Sequence, residues 1–239
     1  MKYSSMIPKI QKQKSYRIID KKIGTESFVF NFAEPLLRTA FPKINAPSEL
    51  NFFRKIHISE PEHSRILGDL LNPYGTHHMG NVFLRLFFET LGIEFYESDF
   101  WTVSVETERF DIRIMTKSHD KIIIIENKSN CADDQPNQLY RYWFHGIYQP
   151  QQYRKNTSLQ VWSRIFYLSP NDCEQPSLQT LQRPADFSSD LPVQIPKEVG
   201  PITIFFNVHI VEWLSKCMET AKDNPELYYF IKQYFDFWS

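Results

Sequence analysis

The sequence predicts an α/β protein in which one central β-sheet carries helices on both faces. Three observations lead there: three strand-like segments follow one another between Trp101 and Lys128, the third holds an unbroken isoleucine run at 122–125, and helix-period apolar patterns flank the group on both sides. Four consecutive isoleucines leave no face for water, so the third strand is expected to be central and covered on both sides.

Taken in order, residues 1–58 mix basic and aromatic side chains with Pro8, Pro35, Pro42 and Pro47, which predicts short helices and loops in an N-terminal extension ahead of a main domain at 59–239. Within it Lys2, Lys9, Lys12, Lys14, Arg17, Lys21 and Lys22 face only Asp20, either a basic patch or a solvated tail. Ser59-Glu60-Pro61-Glu62 is a helix start, with a cap residue, an early proline and an acid three positions on. That helix should bury Ile66, Leu67, Leu70 and Leu71 and stop near Asn72-Pro73; a loop containing His77, His78 and Gly80 then leads to a second helix through Val82, Leu86 and Leu91. Segments 102–107, 110–115 and 121–128 form a meander of strands. Asp133 and Asp134 are expected to cap the next helix, with Pro136 in its first turn and aromatic side chains inward as far as Tyr148. Strands are expected at 164–168 and 202–206, a long Pro- and Ser-containing loop between them, and helices at 208–218 and 227–237. The aromatic last helix is either a core element or a homodimer interface.

Composition bounds the function. In 239 residues, 42% hydrophobic and 23% charged usage describes a folded globular chain rather than a disordered or fibrous one. The net charge of −1 gives no overall attraction to phosphate, so any nucleic-acid surface must be a local basic patch. Cys131, Cys173 and Cys217 are far apart, odd in number and without zinc-site spacing, which points to a reducing compartment. No run approaches the roughly 18 apolar residues of a membrane span, so no membrane partner is expected.

The chemistry concentrates at the end of the third strand. Side chains two apart on a strand share a face, so Glu126 and Lys128 project together while Asn127 points the other way. A turn near 117–120 folds the preceding strand back, so that Asp111 meets Glu126 across the pair. Two converging carboxylates and the Asn127 backbone carbonyl are hard oxygen ligands suited to magnesium, and a neighbouring ammonium suits Lys128 to hold a water or a phosphate oxygen. An acid-x-Lys triplet alone is unremarkable; Asp20-Lys21-Lys22 has the same form, with no acid-bearing strand before it. Gln138 and Tyr142 lie four apart on one helical face and can look toward the site together.

Phe110-Asp111-Ile112, the isoleucine run and Glu126-Asn127-Lys128 resemble the core signature of PD-(D/E)XK nucleases, the restriction-endonuclease-like group. Glu62-His63-Ser64, Leu70-Leu71-Asn72-Pro73, His77 with Gly80, and the stretch 138–142 resemble one branch of it. The resemblance implies a restriction-endonuclease-like core of central mixed sheet and flanking helices, Mg2+ dependence with Mn2+ able to substitute, and nucleic acid, DNA more often than RNA, as substrate. It also implies catalytic roles for Asp111, Glu126, Lys128 and Gln138, and for Glu62 as a first-helix acid that reaches the metal; capping Ser59 is the other role open to Glu62. Glu106 and Glu108 are expected to be solvated and His63 structural; His77 and His78 are either loop bystanders or groups that contact phosphate or assist proton transfer, and Arg65, Lys117 and Arg141 are candidate phosphate contacts. A metal-dependent nuclease is the function expected; a silent nucleic-acid-binding module and a small-molecule phosphoesterase on the same fold are the alternatives.

Overall fold

The computed structural model of the protein describes residues 50–153, 162–170 and 175–239; the N-terminal lysines, the Asp20 triplet and Cys173 lie outside them. Helix α1, Glu60–Leu71, opens on the expected capping box, with Ser59 N and Oγ both donating to Glu62 Oε2 at 2.7 and 2.8 Å, and it ends at Asn72. Helix α2 follows at Val82–Thr90. Strands β1 (Trp101–Thr107), β2 (Phe110–Thr116) and β3 (Lys121–Asn127) form the antiparallel meander. Strand β4 (Trp162–Ser169) then pairs parallel to β3, and β5 (Ile202–Phe205) parallel to β4. The result is a five-stranded mixed sheet in the order β1-β2-β3-β4-β5, the α/β restriction-endonuclease-like arrangement.

Between β3 and β4 the chain builds α3, Gln138–Trp143, a π-helical turn at Phe144–Tyr148, and α4, Gln149–Tyr153. The expected aspartate cap is not used. Asp134 instead accepts from Tyr167 Oη at 3.0 Å and from Ser177 N at 2.6 Å, which ties the segment to β4 and the following loop. The helix therefore starts after Asn137, which turns the chain in a left-handed conformation at φ 62°. After β5 another π-helical turn, Phe206–Ile210, precedes α5 (Val211–Thr220) and α6 (Pro225–Trp238).

The isoleucine run divides between two cores. Ile123 and Ile125 join Ile112 and Ile114 beneath α1, α2, α5 and α6, where Trp213, Phe83, Phe87 and Phe206 are fully buried. Ile122 and Ile124 join Phe110, Leu139, Tyr140 and Trp143 beneath α3. Two glycines permit close layer contacts: a Cβ on Gly68 would lie 2.1 Å from Val105 Cγ2, and one on Gly146 would lie 2.5 Å from Ile124 Cδ1. In α6 Ile231 and Tyr234 are buried while Tyr229 and Phe230 are exposed. Residues 51–58 pack with this unit: Asn51 Nδ2 donates to Gln233 O at 2.7 Å, and the Phe53 ring sits among Phe230, Tyr234 and Phe237. Cys131 is disulfide-bonded, whereas Cys217 is free and buried. No described helix is long and apolar enough to cross a membrane.

Candidate active site

The antiparallel register places Ile112 opposite Ile125, and one step further Asp111 comes opposite Glu126. Asp111 Oδ2 accepts the Asn127 N–H at 2.7 Å, which fixes the carboxylate against the strand end. Glu126 and Lys128 share a face as period two requires, with Lys128 Nζ 2.9 Å from Glu126 Oε1. Asn127 points to the opposite face, where its Nδ2 donates to Glu60 O at 2.9 Å and Ser64 Oγ at 3.0 Å and so pins β3 to α1. Lys128 N donates to Leu168 O at 2.7 Å, extending the β3–β4 pairing one residue beyond the strand.

Helix α3 closes the site. Lys128 Nζ donates to Gln138 Oε1, Gln138 Nε2 to Tyr142 Oη, and Tyr142 Oη to Asp111 Oδ1, each at 3.3 Å. The four-residue spacing of Gln138 and Tyr142 thus bridges the lysine to the first carboxylate, joining Asp111, Tyr142, Gln138, Lys128 and Glu126 in one contiguous network.

Burial sets the electrostatics. Glu126 is 1% exposed and Lys128 4%, while Asp111 stays partly open to solvent. Desolvation, and next the adjacent Glu126, push Asp111 up to about 8. Burial likewise raises Glu126, against the pull of Lys128. For Lys128 burial works against the charge, but the Glu126 carboxylate outweighs it and holds the ammonium protonated. Tyr142 is raised by burial and then by both carboxylates, so it remains a phenol and donates. One atom is left over: Glu126 Oε2 is buried without a hydrogen-bond partner. An orphaned carboxylate oxygen beside a second, proton-retaining carboxylate is a donor set that fits a hard divalent cation. Among the described residues no third His, Cys, Asp or Glu converges to complete a cation cage, so the Asn127 carbonyl is the further oxygen the strand end offers.

Asp111, Glu126, Lys128, Gln138 and Tyr142 are therefore brought together, and Glu62 is not. Its carboxylate is exposed and engaged by Ser59, the capping role. The α1 acid nearer the site is Glu60: its Oε1 accepts Asn130 N at 3.1 Å, and its charge helps to hold Lys128 protonated. The capping-box spacing, by assigning Glu62 to Ser59, already frees Glu60, and that signal was available in the sequence. Glu106 feels the Asp111 charge after its own desolvation, and both raise it. Glu108 pairs with Arg113 at 2.6 Å. His63 is buried with Nδ1 2.9 Å from Tyr234 Oη, and His77 Nε2 donates to Asn72 O at 3.0 Å while Nδ1 accepts from Met79 N at 3.0 Å; both are structural. His78 and Arg65 are exposed, and Lys117 sits at the far end of β2 from Asp111. A cavity of about 760 Å³ lies at that far end as well, beside Lys121 and Trp162, away from the carboxylates.

The antiparallel pair of the mixed sheet thus delivers Asp111 and Glu126-x-Lys128 to one point. The chain belongs to the PD-(D/E)XK nuclease superfamily, whose family model matches residues 50–236. No curated protein and no solved structure matches it closely enough to be set beside it.

Proposed function

We propose that the protein is a magnesium-dependent nuclease that hydrolyses phosphodiester bonds of DNA, with manganese able to substitute. The observation that carries this reading is the buried, unpartnered Glu126 Oε2 opposite Asp111, with the Lys128 ammonium fixed beside it. Asp111, Glu126 and the Asn127 carbonyl would hold the cation, which when bound supplies neutralisation of phosphate charge and a more acidic water. Lys128 Nζ, positioned by Glu126 Oε1 and Gln138 Oε1, donates to a non-bridging phosphate oxygen or to the attacking water. Gln138 and Tyr142 hold lysine and aspartate in register, and Glu60 supports the lysine charge. In this reading 59–239 is the nuclease domain, and the preceding extension shares its last residues, 51–58, with the packed unit. The proposal includes cytoplasmic action and no membrane partner.

The test incubates purified protein, beside Lys128→Ala and Asp111→Asn, with supercoiled plasmid and labelled single strands in magnesium, manganese or excess chelator. Expected is metal-dependent cleavage that falls about 100- to 1,000-fold in Lys128→Ala with metal binding retained, and loss of both in Asp111→Asn. Calorimetric magnesium binding that survives Asp111→Asn unchanged would sink the ligand assignment. Folded protein that retards DNA but never cuts it would establish the binding module instead.

A further inference from the structure

A small cleft of about 110 Å³ opens next to the carboxylates, between the β1–β2 turn and α3, and Arg109, Arg141, His145, Gln138 and Tyr142 line it. Gln138 and Tyr142 therefore belong to two sites at once, because the same side chains contact Lys128 and Asp111. That volume has room for several waters or a phosphate group.

The charge of the cleft is positive. Its one carboxylate, Glu108, is ion-paired with Arg113 at 2.6 Å, and that guanidinium in turn lies 5.1 Å from the Phe110 ring centre. Arg109 makes no ion pair or side-chain hydrogen bond among the described residues. Arg141 donates one N–H to Pro136 O at 3.2 Å and keeps the rest of its five-donor fork unused.

The backbone gives an independent reason to assign Arg109 a task. Thr107 pairs with Phe110, so Glu108 and Arg109 are the two central residues of a tight hairpin, and both are left-handed, at φ 55° and 72°. That turn geometry is ordinarily filled by Asn-Gly, because glycine adopts it without strain. Here two long charged residues occupy it, at a backbone cost that persists where a side chain is needed. Glu108 is used to hold Arg113; Arg109 is exposed at the lining of the cleft, with no ion pair or side-chain hydrogen bond among the described residues.

We propose that Arg109 and Arg141 bind the phosphate next along the substrate strand from the scissile one, and so position that strand over Asp111 and Glu126. This rests on the nuclease reading above. The two are positioning residues, since neither touches the reacting atoms.

The experiment measures anisotropy of a fluorescent oligonucleotide with the full chain in chelator, across a salt titration, for wild type, Arg109→Gly, Arg141→Ala and the double variant. Each arginine removed should weaken binding about five- to tenfold and lower the slope of log affinity against log salt by about 0.7 to 0.9. Arg109→Gly relieves the left-handed strain, so its melting temperature should match or exceed wild type while its affinity falls. Unchanged affinity and slope overturn the subsite, as does a loss of affinity accompanied by a lower melting temperature in Arg109→Gly, or a wild type with no measurable affinity. Plasmid cleavage in magnesium, run in parallel, separates the two ideas: cleavage with arginine-independent binding and KM overturns the subsite alone, and arginine-dependent binding without cleavage supports the subsite and overturns the catalytic reading.

Discussion

On one face of β3, Ile123 and Ile125 enter an apolar core with α1, α2, α5 and α6; on the other, Ile122 and Ile124 lead straight into Glu126 and Lys128. Polar groups on the first face are largely partnered by neutral atoms: Asn127 by Glu60 O and Ser64 Oγ, Trp213 Nε1 by Phe83 O, His63 by Tyr234. Burial lowers His63 to about 4, so that ring is neutral. The indole N–H groups of Trp101 and Trp238 lack partners there; Glu126 Oε2 lacks one on the second face, and Arg113 Nε, Ser129 Oγ and Ser169 Oγ are the other buried atoms without one among the described residues. A neutral unpaired donor costs about 1–3 kcal/mol and a charged group more, so the open oxygen of Glu126, whose other oxygen is held by Lys128, is the costliest of these atoms to leave unsatisfied. The proposed chemistry is assigned to the second face on this difference.

The comparison breaks most readily on the first face. Trp213 is fully buried against Phe87 with its N–H bonded to Phe83 O, so Trp213→Ala should destabilise by about 4 kcal/mol in urea denaturation. A loss under about 1 kcal/mol would show that this face is not the stabilising one. Asp111→Asn should do the reverse in the metal-free protein. The folded state holds Asp111 at about 8, above its unfolded value near 3.9, so its contribution is fully present below pH 4 and disappears as pH rises through 8. Asparagine keeps an acceptor for Asn127 N–H without the charge. The variant should match wild type near pH 4 and exceed it at pH 9 by on the order of 1–2 kcal/mol, after allowance for partial exposure. The same retained proton must leave when the cation binds. Magnesium affinity should therefore rise with pH and level off above about 8, with release of about one proton near pH 7, read by calorimetry in two buffers of different ionisation enthalpy.

The meander, the capping box at Ser59 and the convergence of Asp111 on Glu126 follow from periods and spacing, which are local properties. The turn between β2 and β3 fixes the register, and register alone decides which acid faces which. What was not legible depends on distant partners. Asp134 fails to cap α3 because Tyr167 and Ser177, 33 and 43 residues on, claim its oxygens. The π-helical turn at Phe144–Tyr148 contains Gly146, which sits close against Ile124, a contact no period announces. Arg109 was invisible because a Glu-Arg hairpin turn carries none of the Asn-Gly signal by which such turns are recognised.

The smallest effect discriminates between the two acids that open α1. Glu62 is exposed and its carboxyl lies below the usual range because Ser59 N–H and then Ser59 Oγ hydrogen-bond it, whereas Glu60 accepts from Asn130 N and its charge is felt by Lys128. Glu62→Ala removes a cap contact and should lower the melting temperature by about 2–3 °C with cleavage within about threefold of wild type. Glu60→Gln retains an acceptor for Asn130 N but removes a charge that supports the Lys128 ammonium, and should slow cleavage about tenfold at little cost in stability. If instead Glu62→Ala silenced cleavage at an unchanged melting temperature, the capping contact would have to open when substrate binds, and the first-helix acid of the proposed site would be the one the cap conceals.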